Sequence, residues 1–553
     1  MSPYGLDPIE LQVIVGALRA ACEEMGAVLI GSARSSNIKE RRDASTALFD
    51  NDGEMVMQAE HIPVHLGSMP AAVQAVLGED HSKGGSWVLN DPYAGGTHLP
   101  DITVITPVLA PGQGDRPIGY AASRAHHADV GGRIPGSMPA DSRTLEEEGV
   151  VIGPTRLSER TLGELCALMR QPAEREADLR AQLAANRVGA MRLGELAQRV
   201  GGERLHDACV AVLDYAEART RASLRGLGEG ERCAEDVLEA PEGDLTLRVR
   251  AVVSDGRMTL DFSGSAEQHA GNLNCPLAVT RSACLFAVRV LTDPDIPPSA
   301  GAYRPVEIVV PEGSILNARP VPGPGPDGPN GPGPNGPGPN DPGPDVPDGP
   351  DDPSLHRPAV AAGNVETSSR VADVVLSAFG RAQGQGTMNN LTLGDGKFSY
   401  YETLGGGQGA CPDADGPSAV HVAMSNTMNT PIEALEREFP LRVREYALRR
   451  GSGGAGAHRG GDGVVRELEA LREMTYSLIA ERRRHAPRGA AGGRPGTAGR
   501  DLIDGRPIDG KSSGRLRAGE RLRIETPGGG GHGPPRDSST PDEGGHGPPP
   551  GSL

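Results

Sequence analysis

NDPYAGGTHLPDITVITPVL occupies residues 90–109, and IGYAASRAHHADVGGRIPGSMP occupies residues 118–139. Each stretch joins an apolar, β-branched run to a polar cluster. Ile102–Leu109 and Ile118–Ser123 read as two buried strands. A hairpin between them brings the start of one close to the end of the other. That geometry gathers His98, Asp101 and one of His126 or His127 at one end of a sheet. Imidazole nitrogens and a carboxylate around one point suit a divalent metal, with zinc, manganese and iron all compatible. Gly95, Gly96, Gly131 and Gly132 let backbone approach closely and leave room for a ligand. The plainer alternative is that these histidines and aspartates are ordinary hydrogen-bonded pairs.

Around this centre the chain has 553 residues, enough for two to four domains. Only 3% of residues are aromatic, so its cores must be built from Leu, Val, Ile and Ala. The net charge of −18 argues against a nucleic-acid or anionic-membrane partner, because phosphate surfaces need a basic face. The run Arg482–Arg488 is too short to reverse that balance. Seven scattered cysteines with no CxxC pair fit a reducing, cytoplasmic compartment. The first thirty residues lack a signal-peptide pattern, and no stretch is long and apolar enough to span a membrane.

Taken in order, Asp7–Ile30 reads as a helix that starts at Asp7-Pro8. Thr46–Phe49 and Glu54–Gln58 read as short strands around the turn Asn51-Asp52-Gly53. His61 and His65 follow in a loop, either as ordinary loop histidines or as a substrate-facing lip beside the main cluster. Residues 161–170 and 173–227 form the longest helical tract, interrupted at Gly201-Gly202. Leu245–Val253 and Arg257–Phe262 form a hairpin, and a helix covers Thr280–Leu291. Pro322–Pro353 is a near-repeat of Pro, Gly, Asn and Asp without an apolar face, expected to be a disordered insertion. The glycine-rich Tyr400–Ala410 matches neither a phosphate loop nor a dinucleotide fingerprint. The expected class is α+β and multidomain: mixed β-sheets, a long helical segment and the Pro/Gly-rich insertion. The expected regions are 1–160 with the metal cluster, 161–230 helical, 231–321 β-rich, 322–353 insertion, 354–535 α+β and 536–553 disordered tail.

Eight strings, in order, then carry a resemblance: SSNIKERRDAS, AEHIPVHLGSM, NDPYAGGTHLPDI, HHADVGGRIPGSMP, DFSGSAEQHAGNLN, GNVETSSRVADVV, NTMNTPIEALEREFPLRV and TPGGGGHGPP. Together they resemble the hydantoinase B/oxoprolinase family from about Asp7 to about Pro535. The resemblance implies a subunit of an ATP-dependent enzyme that opens a hydantoin or 5-oxoproline type ring. A hydantoinase A-type partner would bind ATP, giving a hetero-oligomer that acts on a small molecule. It also implies a divalent metal on His98, Asp101 and one of His126 or His127, of which His126 is taken here. Asp129 or His127 is then expected as general base, and Asp91 as a residue orienting a ligand. Asp91 capping the turn at Pro92 is the equal alternative. His61 and His65 are expected to contact substrate. An acetone/acetophenone carboxylase-like subunit is the runner-up reading, and a non-catalytic scaffold subunit the third. The chain departs from the family pattern in the insertion, at Ser299-Ala300, and at Arg488, where Trp is common.

Overall fold

The structure is a computed structural model that describes residues 7–60, 62–82, 84–109, 116–322 and 355–535. His61, the tail 536–553 and all of the expected insertion but Pro322 lie outside the described residues.

The N-terminal part is built on six strands: β1 (Ala44–Phe49), β2 (Met55–Glu60), β3 (Ser86–Leu89), β4 (Asp101–Val108), β5 (Gly119–His126) and β6 (Thr155–Leu157). Their order is β2-β1-β5-β4-β3-β6, and every neighbouring pair is antiparallel. The apolar runs of residues 90–109 and 118–139 are thus adjacent strands. Their register runs from Asp101 opposite His126 to Val108 opposite Gly119. β1 and β5 are buried along their whole length. A sheet covered on both faces needs apolar or small residues at every position, and ASTALF and GYAASRAH largely supply them.

One face of this sheet is covered by α1 (Pro8–Ser32) and by the helix Pro172–Val200. Leu48, Ala121 and Ala125 meet Leu18, Met25 and Ala185 there. Asp7 caps α1, its carboxylate accepting from the Ile9 and Glu10 amides at 2.8 Å. Leu18 and Leu29 are fully buried on this helix, each worth about 2 kcal/mol of transfer free energy. The opposite face carries Phe49, Ile105 and Ala122 against Met69 and Val73 of the short helix Met69–Gln74. The expected helical tract is present as Glu159–Leu168, Pro172–Val200 and Gly202–Gly226, with the interruption at Gly201.

A second sheet uses Gly230–Ala240, Gly243–Ser254, Arg257–Asp261 and Val306–Val309; its last pair is parallel. Two further antiparallel sheets, of four and five strands, form the C-terminal part around Leu391, Tyr400, Leu468 and Leu478. The fold is therefore α+β with several mixed and antiparallel sheets. Residues far apart in sequence close one shared core: Ile62, Val64 and Met138 pack with Val365, Tyr401 and Met424. That core brings the C-terminal part against the open end of the β4–β5 pair.

Candidate metal centre

Strand periodicity decides which histidine joins the cluster. Asp101 opens β4 and His126 closes β5, directly opposite one another, so both side chains leave the same face. His98 precedes β4 by three residues, and the Asp101 amide donates to the His98 carbonyl at 3.0 Å, turning its ring back over the strand end. Gly95 makes this tight loop possible: its φ is +98°, and a Cβ there would lie 2.6 Å from the Ala71 carbonyl oxygen.

Three donor atoms converge. His98 Nε2 is 3.2 Å from His126 Nδ1, and each is 3.3 Å from Asp101 Oδ1. All three residues are buried. Two imidazole nitrogens and a carboxylate oxygen that face one another offer three lone pairs and at most one or two shared protons. A cation satisfies all three at once. Edges of 3.2–3.3 Å match the separation of neighbouring ligands that each lie about 2.0–2.2 Å from one ion. The residues present therefore fit a divalent metal. Among the described residues, this is the group of His, Cys, Asp and Glu side chains with the geometry to hold one.

Protonation agrees with that fit. Burial pushes the Asp101 carboxyl up, but the His98, His126 and His65 rings outweigh it and hold it well below the usual carboxylate range. Burial pulls His126 down to about 4 despite its hydrogen bond to Asp101. Near neutral pH the centre thus holds an ionised carboxylate and a neutral His126 ring, the forms that ligate metals.

The surrounding groups fix these ligands. Thr97 Oγ1 donates to Asp101 Oδ2 at 2.7 Å. His65 Nε2 stands 3.5 Å from the same oxygen, within ion-pair reach though not hydrogen-bonded, while its Nδ1 is 3.0 Å from Ser45 Oγ. The Tyr401 ring stacks on His126, centroids 4.5 Å apart and planes 14° from parallel, and its hydroxyl donates to Asn390 Oδ1 at 2.7 Å. A cavity of about 20 Å³, room for a single water-sized sphere, adjoins the three donors. Asp43, Asn364 and Tyr401 help to wall it. Burial and the Asp101 charge push the Asp43 carboxyl up to about 7, against the pull of Arg41. A divalent ion between two buried carboxylates would relieve that repulsion.

The other expected site residues make contacts of their own. His127 sits one residue beyond His126 and turns to the other side of the sheet, where its Nε2 is 3.0 Å from Gln182 Oε1 on the helix Pro172–Val200. It is not one of the converging groups, because adjacent strand residues point to opposite faces. Asp129 is not free to act as a base. Its carboxylate accepts from the Gly131 and Gly136 amides and from Ser137, and is ion-paired to Arg170 at 3.0 Å. It ties its own loop together. Asp91 accepts from the Tyr93 amide at 2.9 Å, the capping alternative, and lies 3.5 Å from Arg357. His65 is fully buried, with its Nε2 3.5 Å from Asp101 Oδ2. His61 lies outside the described residues. Sequence reasoning missed Asp43, Asn364 and Tyr401 as site residues, although they lie in or beside the strings SSNIKERRDAS, GNVETSSRVADVV and YYETLGGGQGA. The strings that hold Asp43 and Asn364 are rich in Ser, Asn and Thr, and Tyr401 stands just ahead of a glycine run, none of which marks a site by a local period.

The model of the family described as hydantoinase B/oxoprolinase matches residues 7–323 and 352–535. The chain belongs to the hydantoinase B/oxoprolinase family. The gap in the match coincides with the Pro/Gly-rich stretch, marking it as foreign to the family pattern. Among relatives, 5-oxoprolinase 1 of Arabidopsis thaliana is 37% identical over 567 residues, which cover 95% of this chain and 42% of that protein. The chain thus spans about two-fifths of the length of that relative. A Pseudomonas protein named as one subunit of a putative D-/L-hydantoinase is 28% identical over 96% of this chain and 90% of its own length. Among solved structures, the ATP-dependent caprolactamase from Pseudomonas jessenii superposes with a TM-score of 0.82 at 26% identity, covering 96% of this chain and 92% of that one. In this family member the seven cysteines are free thiols, and no described helix is long and apolar enough to cross a membrane.

Proposed function

We propose that this hydantoinase B/oxoprolinase family member is the ring-opening subunit of a cytoplasmic ATP-dependent cyclic amide hydrolase. It would act on a hydantoin or 5-oxoproline type ring with a hydantoinase A-type ATP-binding partner. The observation that carries the reading is the convergence of His98 Nε2, His126 Nδ1 and Asp101 Oδ1 at 3.2–3.3 Å beside a buried cavity. The names of the 5-oxoprolinase, hydantoinase and caprolactamase relatives support the reaction class. That the Pseudomonas hydantoinase relative is named as a subunit supports a partner.

His98, Asp101 and His126 hold the ion in this reading, with Asp43 on the cavity wall as a fourth candidate ligand. A divalent ion there supplies Lewis acidity toward oxygen. The protein's own part is placement. Thr97 and His65 hold the Asp101 carboxylate, and Tyr401 fixes the plane of the His126 ring. The buried walls exclude bulk water, which strengthens every electrostatic interaction inside.

ATP enters because a resonance-stabilised amide carbonyl is a poor electrophile. Attack of the amide oxygen on the γ-phosphorus would release ADP and leave the oxygen as a phosphate ester, a better leaving group. One ring, one ATP and two waters then balance against one ring-opened amino acid, ADP and phosphate.

The test is metal analysis and ring-opening assay of the chain together with its partner, comparing the wild type with His98→Ala and Asp101→Ala. Both variants should lose bound metal and at least about 100-fold in turnover. Retention of metal and activity in both would remove the site, and full ATP-dependent turnover by this chain alone would remove the division of labour.

A further inference from the structure

Besides the three converging donors, Thr403, Thr427 and Asn364 line the small cavity at the metal centre. Behind the two threonines lies Arg41, which is fully buried. Its Nη2 donates to Thr403 Oγ1 at 2.8 Å and to Thr427 Oγ1 at 3.0 Å. Its Nε and Nη1 are buried without a hydrogen-bond partner, and no carboxylate among the described residues stands within ion-pair distance of it. A buried guanidinium without a counter-ion is costly unless the working site supplies negative charge. The face of Tyr401, with Cζ 5.2 Å from the ring centroid, offsets only part of that cost.

The hydroxyl protons can be counted. Thr403 Oγ1 and Thr427 Oγ1 are 2.6 Å apart, so one hydroxyl donates to the other. If Thr427 donates, the Thr403 proton has no acceptor among the described residues. If Thr403 donates, the Thr427 proton has only His421 Nε2, at a long 3.4 Å. Either way a hydroxyl proton is available to a ligand in the cavity. Asn364 Oδ1, buried and without a partner, supplies an acceptor. A volume of about 20 Å³ with a donor, an acceptor and a metal position around it holds one oxygen atom. Charge selects the form of that oxygen. A divalent ion and Arg41 bring three positive charges, and the lining supplies two carboxylates, Asp43 and Asp101. One anionic oxygen then makes the pocket neutral.

We infer that Thr403 and Thr427 hold the attacking water in this cavity in its hydroxide form, with Arg41 as the positioning residue behind them. The inference rests on the ring-opening reading above and adds to it residues that are not metal ligands. A threonine hydroxyl donates to the negative oxygen, and Arg41 strengthens that donation by drawing charge from both threonine oxygens. Asn364 accepts the one proton that the hydroxide keeps; the other is left in bulk water as the site fills. On attack an oxygen lone pair forms the bond to the ring carbon. The carbon–nitrogen π pair of the activated amide moves onto the ring nitrogen, which takes up a proton from solvent.

Fluoride, a single-atom anion that mimics hydroxide, is the probe. Calorimetric titration of the metal-replete full-length chain with sodium fluoride should show binding to the wild type. The double variant Thr403→Val/Thr427→Val should bind it about 10- to 100-fold more weakly with unchanged metal content. Thr403→Ser/Thr427→Ser, which keeps both hydroxyls, should recover most of that affinity. Arg41→Met should weaken binding as the valine pair does, and adding it to the valine pair should cost less than about 3-fold more, because Arg41 acts through the hydroxyls. With the partner subunit and ATP, the valine pair should lower kcat for ring opening and leave KM for the ring unchanged. A wild type that binds no fluoride at millimolar concentration, a valine pair that keeps wild-type affinity, or one whose KM rises while kcat holds would each overturn the inference. Failure of the ring-opening reading is a separate result. A chain that opens no ring yet binds fluoride through these hydroxyls would sink that reading and leave the anion seat standing.

Discussion

At the scale of single residues, burial and the charges that face it together set protonation. Asp101 stays ionised because three imidazoles face it, whereas Asp43, in the same pocket, is pushed up to about 7. His421 shows the same effect away from the ligands: burial, reinforced by the nearby Arg41 charge, pulls it from 6.5 down to about 4. Its unfolded form takes up a proton near pH 6.5 that the folded form refuses until about pH 4. The stability His421 contributes is therefore present above that window and is lost as pH falls through it, on the order of 3 kcal/mol in all. His421→Gln should flatten the decline of Tm between pH 6.5 and pH 4, relative to wild type. Thermal unfolding at a series of pH values reads this directly, and parallel curves for the two proteins would contradict it. Individual ligands were partly legible in the sequence. His98 and Asp101 follow from a short polar loop leading into a strand. The choice between His126 and His127 depended on strand phase, which a run of buried small residues does not reveal.

At the scale of elements, the π-helical turn Gly363–Thr367 shows how tightly the C-terminal part is pressed onto the site. The sequence suggested a glycine turn and a polar cap before a helix, and the helix is Ser368–Ala378. A widened turn there was not foreseeable from the local pattern. A Cβ on Gly363 would fall 1.7 Å from the Asn274 carbonyl oxygen, on backbone that has no room to yield. The next residues, Asn364 and Val365, line the cavity at the metal centre. Gly363→Ala should therefore cost about 3 kcal/mol or more in urea unfolding, and lower metal affinity as well, since any shift of the turn moves the cavity wall. A variant as stable as wild type would show that the close approach is not required. By contrast, β4, β5 and α1 were readable in advance. Their signals are local: alternation and β-branching for the strands, and a Pro at the first helical position for α1.

At the scale of the whole molecule, the Pro/Gly-rich stretch leaves and re-enters the fold at one place. Val321 pairs with His356 and Pro322 with Leu355, antiparallel. Replacing residues 325–352 with a short Gly-containing turn then closes no new gap, because the two ends already lie across a strand pair. Such a variant should keep its Tm within about 3 °C and its full metal content; a large loss of either would show that the stretch supports the core. The family match skips this same stretch.

The sequence by itself determined the class, the order of the main elements, the family and the two loops from which the converging His and Asp side chains come. These are properties of local pattern and of strings long enough to be specific. Only the tertiary structure decided that His126 rather than His127 faces Asp101, that Asp129 and Asp91 hold loops together, and that Asp43 and Tyr401 close the pocket. The physical reason is that a side chain's chemistry depends on which groups meet it after the sheet and the C-terminal part have packed. Those meetings join residues as far apart as Asp43 and Tyr401, between which no local period runs.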